Sequence, residues 1–327
     1  MTGHAAAREL DHPRAATSAR AQPPGIHSRV TSPGLLFSPL LASRGIPHAF
    51  TTRTGGVSAS PFDSLNFGNP MDLPPGQPRD PVSNIRENFR RVLDAIGLPG
   101  REVVQVFQVH GPRAHIFTPG SPSRDRRAIA SSQPRDAAAP PVPACSTSTE
   151  QELDFKADAL VTNDASRAVA VRVADCCPVL IASADGSVVA AVHAGWRGVV
   201  SDVVSAAVSA MATLLPRAAG MPLVAAIGPC IGPSHFEVGP EVATEFTRRF
   251  GHAEHVRPHA DPSAAALGKR FIDLQSALAE QLRGAGVATI DTIAACTASD
   301  PARFFSHRRD KGVTGRMIGL IAPRAAT

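Results

Sequence analysis

Two histidines and one cysteine close three apolar runs: residues 104–110 end on His110, residues 168–176 on Cys176 and residues 187–193 on His193. Runs this rich in Val and Ala read as buried strands. A strand that ends on His or Cys carries that side chain to a sheet rim, where loops gather. Two imidazoles and a thiolate are the ligand count of a catalytic zinc with one open position, where a water has its pKa lowered towards about 7. Gly111 and Gly195 follow close behind the two histidines and leave room for a bound group. Asp175, beside Cys176, is a candidate to orient a ligand or act as general base; a turn residue capping a loop is its other reading. The same residues work without metal if Cys176 is a nucleophile and His110 or His193 its base. Copper is disfavoured, because none of the twelve histidines lies two residues from another and the His-X-His pairs of a multicopper cluster are missing.

Anion handling forms a second set. Gly195-Trp196-Arg197-Gly198 leads into an expected helix, whose backbone N–H groups and positive end suit a phosphate. Arg197 would add a bidentate fork. The Gly-rich turn Thr52-Arg53-Thr54-Gly55-Gly56 bears Arg53, and Arg308-Arg309 supply two more cations. Phe304-Phe305-Ser306-His307 sets an aromatic face beside these donors, which suits a planar base. Gly228-Pro229-Cys230-Ile231-Gly232-Pro233 is a rigid double turn, read as structure first and pocket wall second. Cys177 points away from Cys176 in an extended segment and fills core. Cys230 and Cys296, at or just past strand ends, read as buried small hydrophobes.

Positioning these residues takes a strand leading into a Gly-Gly turn over 49–56 and strands over 159–162, 168–173, 179–183, 188–193, 223–227, 290–296 and 316–321. Asp185-Gly186 is a hairpin turn that makes its two flanking strands antiparallel. Helices are expected over 82–96, between Pro81 and Gly97, over 199–215, closed by Pro216, and over 240–250 and 273–283. Hairpins mixed with crossover helices imply α+β, with mixed sheets under helices. Residues 1–32 are expected to be a disordered extension, and 119–151 a Pro/Ser/Ala/Arg-rich insertion in a single domain over 33–324.

The chain has 327 residues, 43% hydrophobic, enough for one large domain. A net charge of +5 mildly favours an anionic substrate, though much of the excess is arginine in the weakly patterned parts, such as Arg20 and Arg126. No Lys/Arg stripe interleaves with aromatics, so no nucleic-acid partner is expected. Five cysteines, no apolar segment near the N-terminus and an apolar stretch (179–192) cut by Ser183, Asp185, Gly186 and Ser187 imply a reduced, cytoplasmic protein outside the membrane.

Longer motifs carry a resemblance. They include Thr52-Arg53-Thr54-Gly55-Gly56-Val57-Ser58, Ser64-Leu65-Asn66-Phe67-Gly68, Gln108-Val109-His110-Gly111, Ala157-Asp158-Ala159-Leu160-Val161-Thr162 and Ala174-Asp175-Cys176. They continue with Ala191-Val192-His193-Ala194-Gly195-Trp196-Arg197-Gly198, Ile227-Gly228-Pro229-Cys230-Ile231-Gly232 and Thr314-Gly315-Arg316-Met317. In these the chain resembles the YfiH-like laccase-domain family, named as polyphenol oxidoreductases and also described as purine nucleoside phosphorylases. The resemblance implies a layered α/β/β sandwich with mixed sheets, related to Cys–His toxin hydrolases, and a zinc ion on His110, Cys176 and His193. It implies phosphorolysis of adenosine, inosine and methylthioadenosine, with adenosine deamination besides. Arg53, Arg197, Asn66 and Arg308 are then the candidates to contact nucleoside or phosphate, Arg53 also as a catalytic group, and Asp175 to carry a proton in deamination. Such an enzyme takes a purine nucleoside and phosphate as small-molecule partners and works as a monomer or weak homodimer. His307 stands where the family more often has an aromatic such as Tyr, which bears on substrate preference. The rival readings are a metal-free cysteine amidase or hydrolase on a peptide-like or cell-wall precursor, a copper polyphenol oxidase, and a non-catalytic protein with structural zinc.

Overall fold

The Val- and Ala-rich runs form strands because small and branched side chains pack on both faces of a pleated sheet. The computed structural model describes residue 1 and residues 33–69, 76–122, 155–216, 220–251 and 254–325. The expected extension over 1–32, Met1 apart, and most of the insertion at 119–151, with Cys145, lie outside the described residues. In chain order the elements are β1 (Leu35–Leu36), α1 (Pro39–Ala42), β2 (His48–Thr51), α2 (Val82–Ala95), β3 (Glu102–Val104), β4 (Ala114–Phe117), β5 (Ala159–Thr162), β6 (Arg167–Val173), β7 (Cys177–Ser183) and β8 (Val189–Ala194). There follow α3 (Trp196–Val200), α4 (Val203–Leu214), β9 (Leu223–Ile227), β10 (Glu237–Val238), α5 (Pro240–Phe250), β11 (Val256–Pro258), α6 (Pro262–Ala266), β12 (Arg270–Ile272), α7 (Leu274–Gly284), β13 (Val287–Thr292) and β14 (Met317–Ile321).

The strands make a five-stranded sheet ordered β1-β2-β14-β6-β3, a six-stranded sheet ordered β13-β9-β7-β8-β5-β4 and a small sheet ordered β10-β12-β11. Both large sheets are mixed: β3–β6, β4–β5 and β9–β13 run parallel, and their other pairs antiparallel. Alternate residues of the six-stranded sheet enter different cores. Val179, Ile181, Ala190 and Val192 face Val203, Ala207 and Met211 of α4 and Leu278 of α7. Their neighbours Leu180, Ala182 and Ala191 pack against Phe50, Val169, Val171 and Ile321 of the five-stranded sheet. The far face of that sheet, through Ala168, Ala170, Ile318 and Leu320, takes Phe89, Val92 and Leu93 of α2. The result is the expected α/β/β sandwich with one further helix on the outside. Each fully buried Val, Leu or Phe here contributes about 1.5–3 kcal/mol.

Three expectations need correction. The run ending on His110 leaves its ladder at Val104, and His110 lies in the loop beyond. The expected helix over 199–215 is two helices, α3 and α4, broken where Asp202 takes φ 64° and accepts bonds from Ser205 and Arg249. The last parallel strand is β13, several residues earlier than 290–296. The small sheet and α6 are too short to show a period in the sequence.

Candidate metal centre

Cys176 sits where the chain crosses from one large sheet to the other. Residues 174–176 bend between β6 and β7, and Asp175 takes φ 87° to make the corner. Cys177 begins β7 and is buried in the helix-facing core, so the adjacent thiols part as their pleat requires. His193 lies near the end of β8, opposite Pro178 of β7, and is only 3% exposed.

His110 arrives from a loop, at φ 60°, and the carboxylate of the fully buried Asp158 holds it there. Asp158 Oδ1 accepts the His110 N–H at 2.8 Å, and Oδ2 accepts those of Gly111 at 2.7 Å and Val109 at 3.2 Å. The same Oδ1 lies 2.8 Å from His193 Nδ1. Asp158 belongs to the site through both histidines, although its spacing in the chain does not single it out. A carboxylate opening the apolar run 157–162 was the available signal, since a buried charge must be paired.

The two histidines and the cysteine bring one donor atom each to within 4.8 Å of one another. Cys176 Sγ is 3.9 Å from His110 Nε2, and the two imidazole rings meet edge to face at 4.8 Å. Gly195 packs against this group: a Cβ there would lie 2.9 Å from His110 Cδ2 and 3.0 Å from Cys176 Sγ. Burial alone would raise the Cys176 thiol, but the His193 charge and hydrogen bonds with His110 and His193 outweigh it and hold the thiol at about 6. Burial would lower His193, yet the Cys176 charge and the bond to Asp158 bring it up to about 9. Asp158 is held below the usual carboxylate range, its burial outweighed by His193 and by the Gly111 and His110 N–H groups. With Nδ1 engaged by Asp158, Nε2 is the His193 atom left to bind. Two imidazoles and a thiolate fit a borderline-soft divalent cation, and the carboxylate behind one imidazole is the support such ligands usually have.

These donors open on a cavity of roughly 450 Å³, lined also by Gln108, Arg172, Asp175, Phe236, Arg308 and Arg316. The Asp175 carboxylate accepts from Thr297 Oγ1 at 2.6 Å, Ser306 Oγ at 3.0 Å and the Arg308 N–H at 2.7 Å. It pins the segment carrying His307 and Arg308 to the wall. The other anticipated residues fall elsewhere. Arg53 pairs with Asp63, donates to the carbonyls of Asp63 and Pro301, and lies over the buried Phe305 ring. Buried Asn66 donates to Asp80 and accepts from the Arg316 and Gly68 N–H groups. Arg197 is exposed and stacked on Trp196. None of these three lines the cavity, and neither do Phe304 and Phe305, both fully buried. The aromatic face in the cavity is Phe236, with the Arg308 guanidinium 5.5 Å from its centroid. Cys230 is core, but Cys296 is half-buried and accepts the Gly232 N–H at 3.1 Å.

A layered α+β sandwich that gathers two imidazoles and a thiolate at a cavity floor defines a class of protein with one built, three-donor centre. The chain belongs to the multi-copper polyphenol oxidoreductase laccase family, whose model matches residues 47–324. It is 35% identical over 295 residues to a purine nucleoside phosphorylase of Deinococcus radiodurans, covering 89% of this chain and 94% of that one. It is 33% identical over 281 residues to the purine nucleoside phosphorylase YfiH of Escherichia coli, covering 85% and 94%. Among solved structures, YlmD of Geobacillus stearothermophilus superposes with a TM-score of 0.71 at 28% identity, over 92% of this chain and 98% of that one. YfiH of Bacillus licheniformis gives 0.70 at 25% identity, over 90% and 98%.

Proposed function

We propose that this protein is a zinc-dependent purine nucleoside phosphorylase acting on adenosine, inosine and methylthioadenosine, with adenosine deamination as a second activity. The observation that carries the reading is the convergence of His110, Cys176 and His193 on the floor of a cavity whose wall bears Arg172, Arg308 and Arg316. Relatives named purine nucleoside phosphorylase support the reaction class. When bound by His110, Cys176 and His193, zinc supplies a Lewis acid and lowers the pKa of a water in its open position.

The rest of the chemistry falls to side chains of the chain itself. Asp158 keeps the proton of His193 on Nδ1 and turns Nε2 inward. In phosphorolysis a phosphate oxygen replaces the purine nitrogen on the anomeric carbon, and the departing base takes up negative charge. Guanidinium groups on the cavity wall stabilise both anions, where low dielectric makes such contacts strong. Phe236 offers the base an apolar face, and Arg308 beside it is set by Asp175. We assign charge neutralisation to Arg172, Arg308 and Arg316 in place of Arg53 and Arg197. The reading is of a cytoplasmic monomer or weak homodimer; among the described residues no helix is long and apolar enough to cross a membrane.

One observation favours a second reading. Cys176 held at about 6 beside His193 at about 9 forms a thiolate–imidazolium pair, the activated state of a cysteine hydrolase. A copper oxidase is a poorer fit: among the described residues one such donor group is present, and multicopper chemistry needs several ions.

The test is Cys176→Ala with elemental analysis of protein purified without added metal and an assay of adenosine plus phosphate. Loss of zinc and of phosphate-dependent base release together is the expected result. Full zinc and full turnover in the variant would sink the assignment. Turnover that survives a chelator but not alkylation would favour the hydrolase.

A further inference from the structure

His110 is the one donor of the three carried by an exposed loop, so something must fix that loop before it can serve as a ligand. β3 pairs with β6 in parallel register through Glu102–Arg167, Val103–Ala168 and Val104–Val169, and the ladder then stops. Further along β6 the Arg172 backbone faces the side that β3 has vacated. Gln108 fills the gap with its side chain. Its Oε1 accepts the Arg172 N–H at 2.8 Å, and its Nε2 donates to the Arg172 carbonyl at 2.8 Å. A carboxamide has the donor and acceptor of a peptide group, so the pair satisfies both polar atoms of Arg172 as a strand would. On its other side the loop is tied through Phe107, whose N–H donates to the Phe155 carbonyl and whose carbonyl accepts the Ala157 N–H. Asp158 then takes the N–H groups of Val109, His110 and Gly111.

We infer that Gln108 is a positioning residue for His110: its carboxamide replaces the peptide unit missing from the β3–β6 ladder and fixes the loop that delivers the imidazole. The inference rests on the metal reading of His110, Cys176 and His193. Leaving the ladder at Val104 is what lets the chain rise to meet Cys176. The Gln108 clamp restores the lost backbone bonds without pulling His110 back into the sheet.

The experiment measures metal affinity by competition with a chromophoric chelator, together with the thiolate charge-transfer band of the cobalt-substituted protein. Four proteins are compared: wild type, Gln108→Leu, His110→Ala and the double variant. Gln108→Leu should lower affinity roughly 10- to 100-fold, as loss of ligand support generally does, and should shift the band. In the His110→Ala background it should add little, because the effect travels through His110. Equal loss in both backgrounds, or wild-type affinity and spectrum in Gln108→Leu, overturns the proposal. Should Gln108→Leu not fold, Gln108→Glu keeps the bond to the Arg172 N–H but sets an oxygen against the Arg172 carbonyl. A loss of affinity there supports the proposal, and wild-type affinity overturns it. A wild-type protein that binds neither zinc nor cobalt would instead refute the metal reading itself.

Discussion

Asp158 and His193 meet at 2.8 Å, carboxylate Oδ1 to ring Nδ1, with both side chains buried and 35 positions apart in the chain. The contact sets the tautomer of the imidazole, and through the same oxygen reaches the His110 backbone. Asp158→Asn keeps the shape but removes the charge and points N–H against N–H. Metal affinity should fall roughly 10- to 100-fold, and the His193 ring should titrate well below its present value of about 9. Chelator competition and an NMR titration of the ring check both; an unchanged affinity would show that the contact is only architectural.

Metal uptake should displace a countable proton. In the metal-free protein at pH 7, His193, raised to about 9, still holds its proton, and Cys176, lowered to about 6, has lost its own. Binding needs a neutral imidazole and a thiolate, so the Cys176–His193 pair should release about one proton at pH 7 and almost none at pH 10. Affinity therefore rises with pH until the imidazole is deprotonated. Calorimetric titrations in buffers of different ionisation enthalpy give the count. A count of zero at pH 7 would mean that the thiolate–imidazolium pair does not exist.

Gly195 is a glycine for reasons of space, its φ of −74° being open to any residue. Gly195→Ala drives a methyl into His110 and Cys176. Overpacking of this kind costs about 1–3 kcal/mol, so weakened metal binding of roughly 5- to 150-fold is expected. Chelator competition measures it, with thermal unfolding as the control for global damage.

Arginines separate by place. Arg308→Ala removes a cation at the cavity and should raise KM for phosphate about tenfold or more, the scale of one charged hydrogen bond. Arg197→Ala, which unstacks a surface guanidinium from Trp196, should leave KM unchanged. Arg53→Ala should lower thermal stability through the lost ties to Asp63 and Pro301 and spare KM. Steady-state kinetics with varied phosphate decide the matter, and a KM effect at Arg197 would restore the helix-end reading.

Alkylation will not report on Cys176 alone. Burial would raise Cys296, but Ser299 and the N–H groups of Gly232, Ser299 and Ala298 hold its thiol below the ordinary range. Peptide mapping of zinc-saturated protein treated with iodoacetamide should show Cys296 labelled first among the cysteines of the described residues and phosphorolysis retained, with Cys176 labelled only after metal removal. Prompt labelling of Cys176 in the zinc-saturated protein would place it outside the coordination sphere.

Much of the fold is written locally. Periodicity and Gly/Pro punctuation mark β5 and β9 to the residue and β6, β7, β8 and α2 within a residue or two. They mark the Asp185-Gly186 hairpin too, because side-chain branching and turn conformation act over a few bonds. The residue types at His110, Cys176 and His193 likewise point to one chemistry, since few side chains are soft donors. Their meeting is another matter. His110 and Cys176 are 66 positions apart, and only the stacking of two sheets, with the chain crossing between them at Asp175, sets their separation. The same stacking chose Asp158 and Gln108 as supports, and put Arg172 and Arg316 at the cavity while leaving Arg53 and Arg197 outside it. Local patterns carry no record of such contacts, because what brings distant residues together is the burial of whole apolar faces, to which each face contributes without specifying its partner.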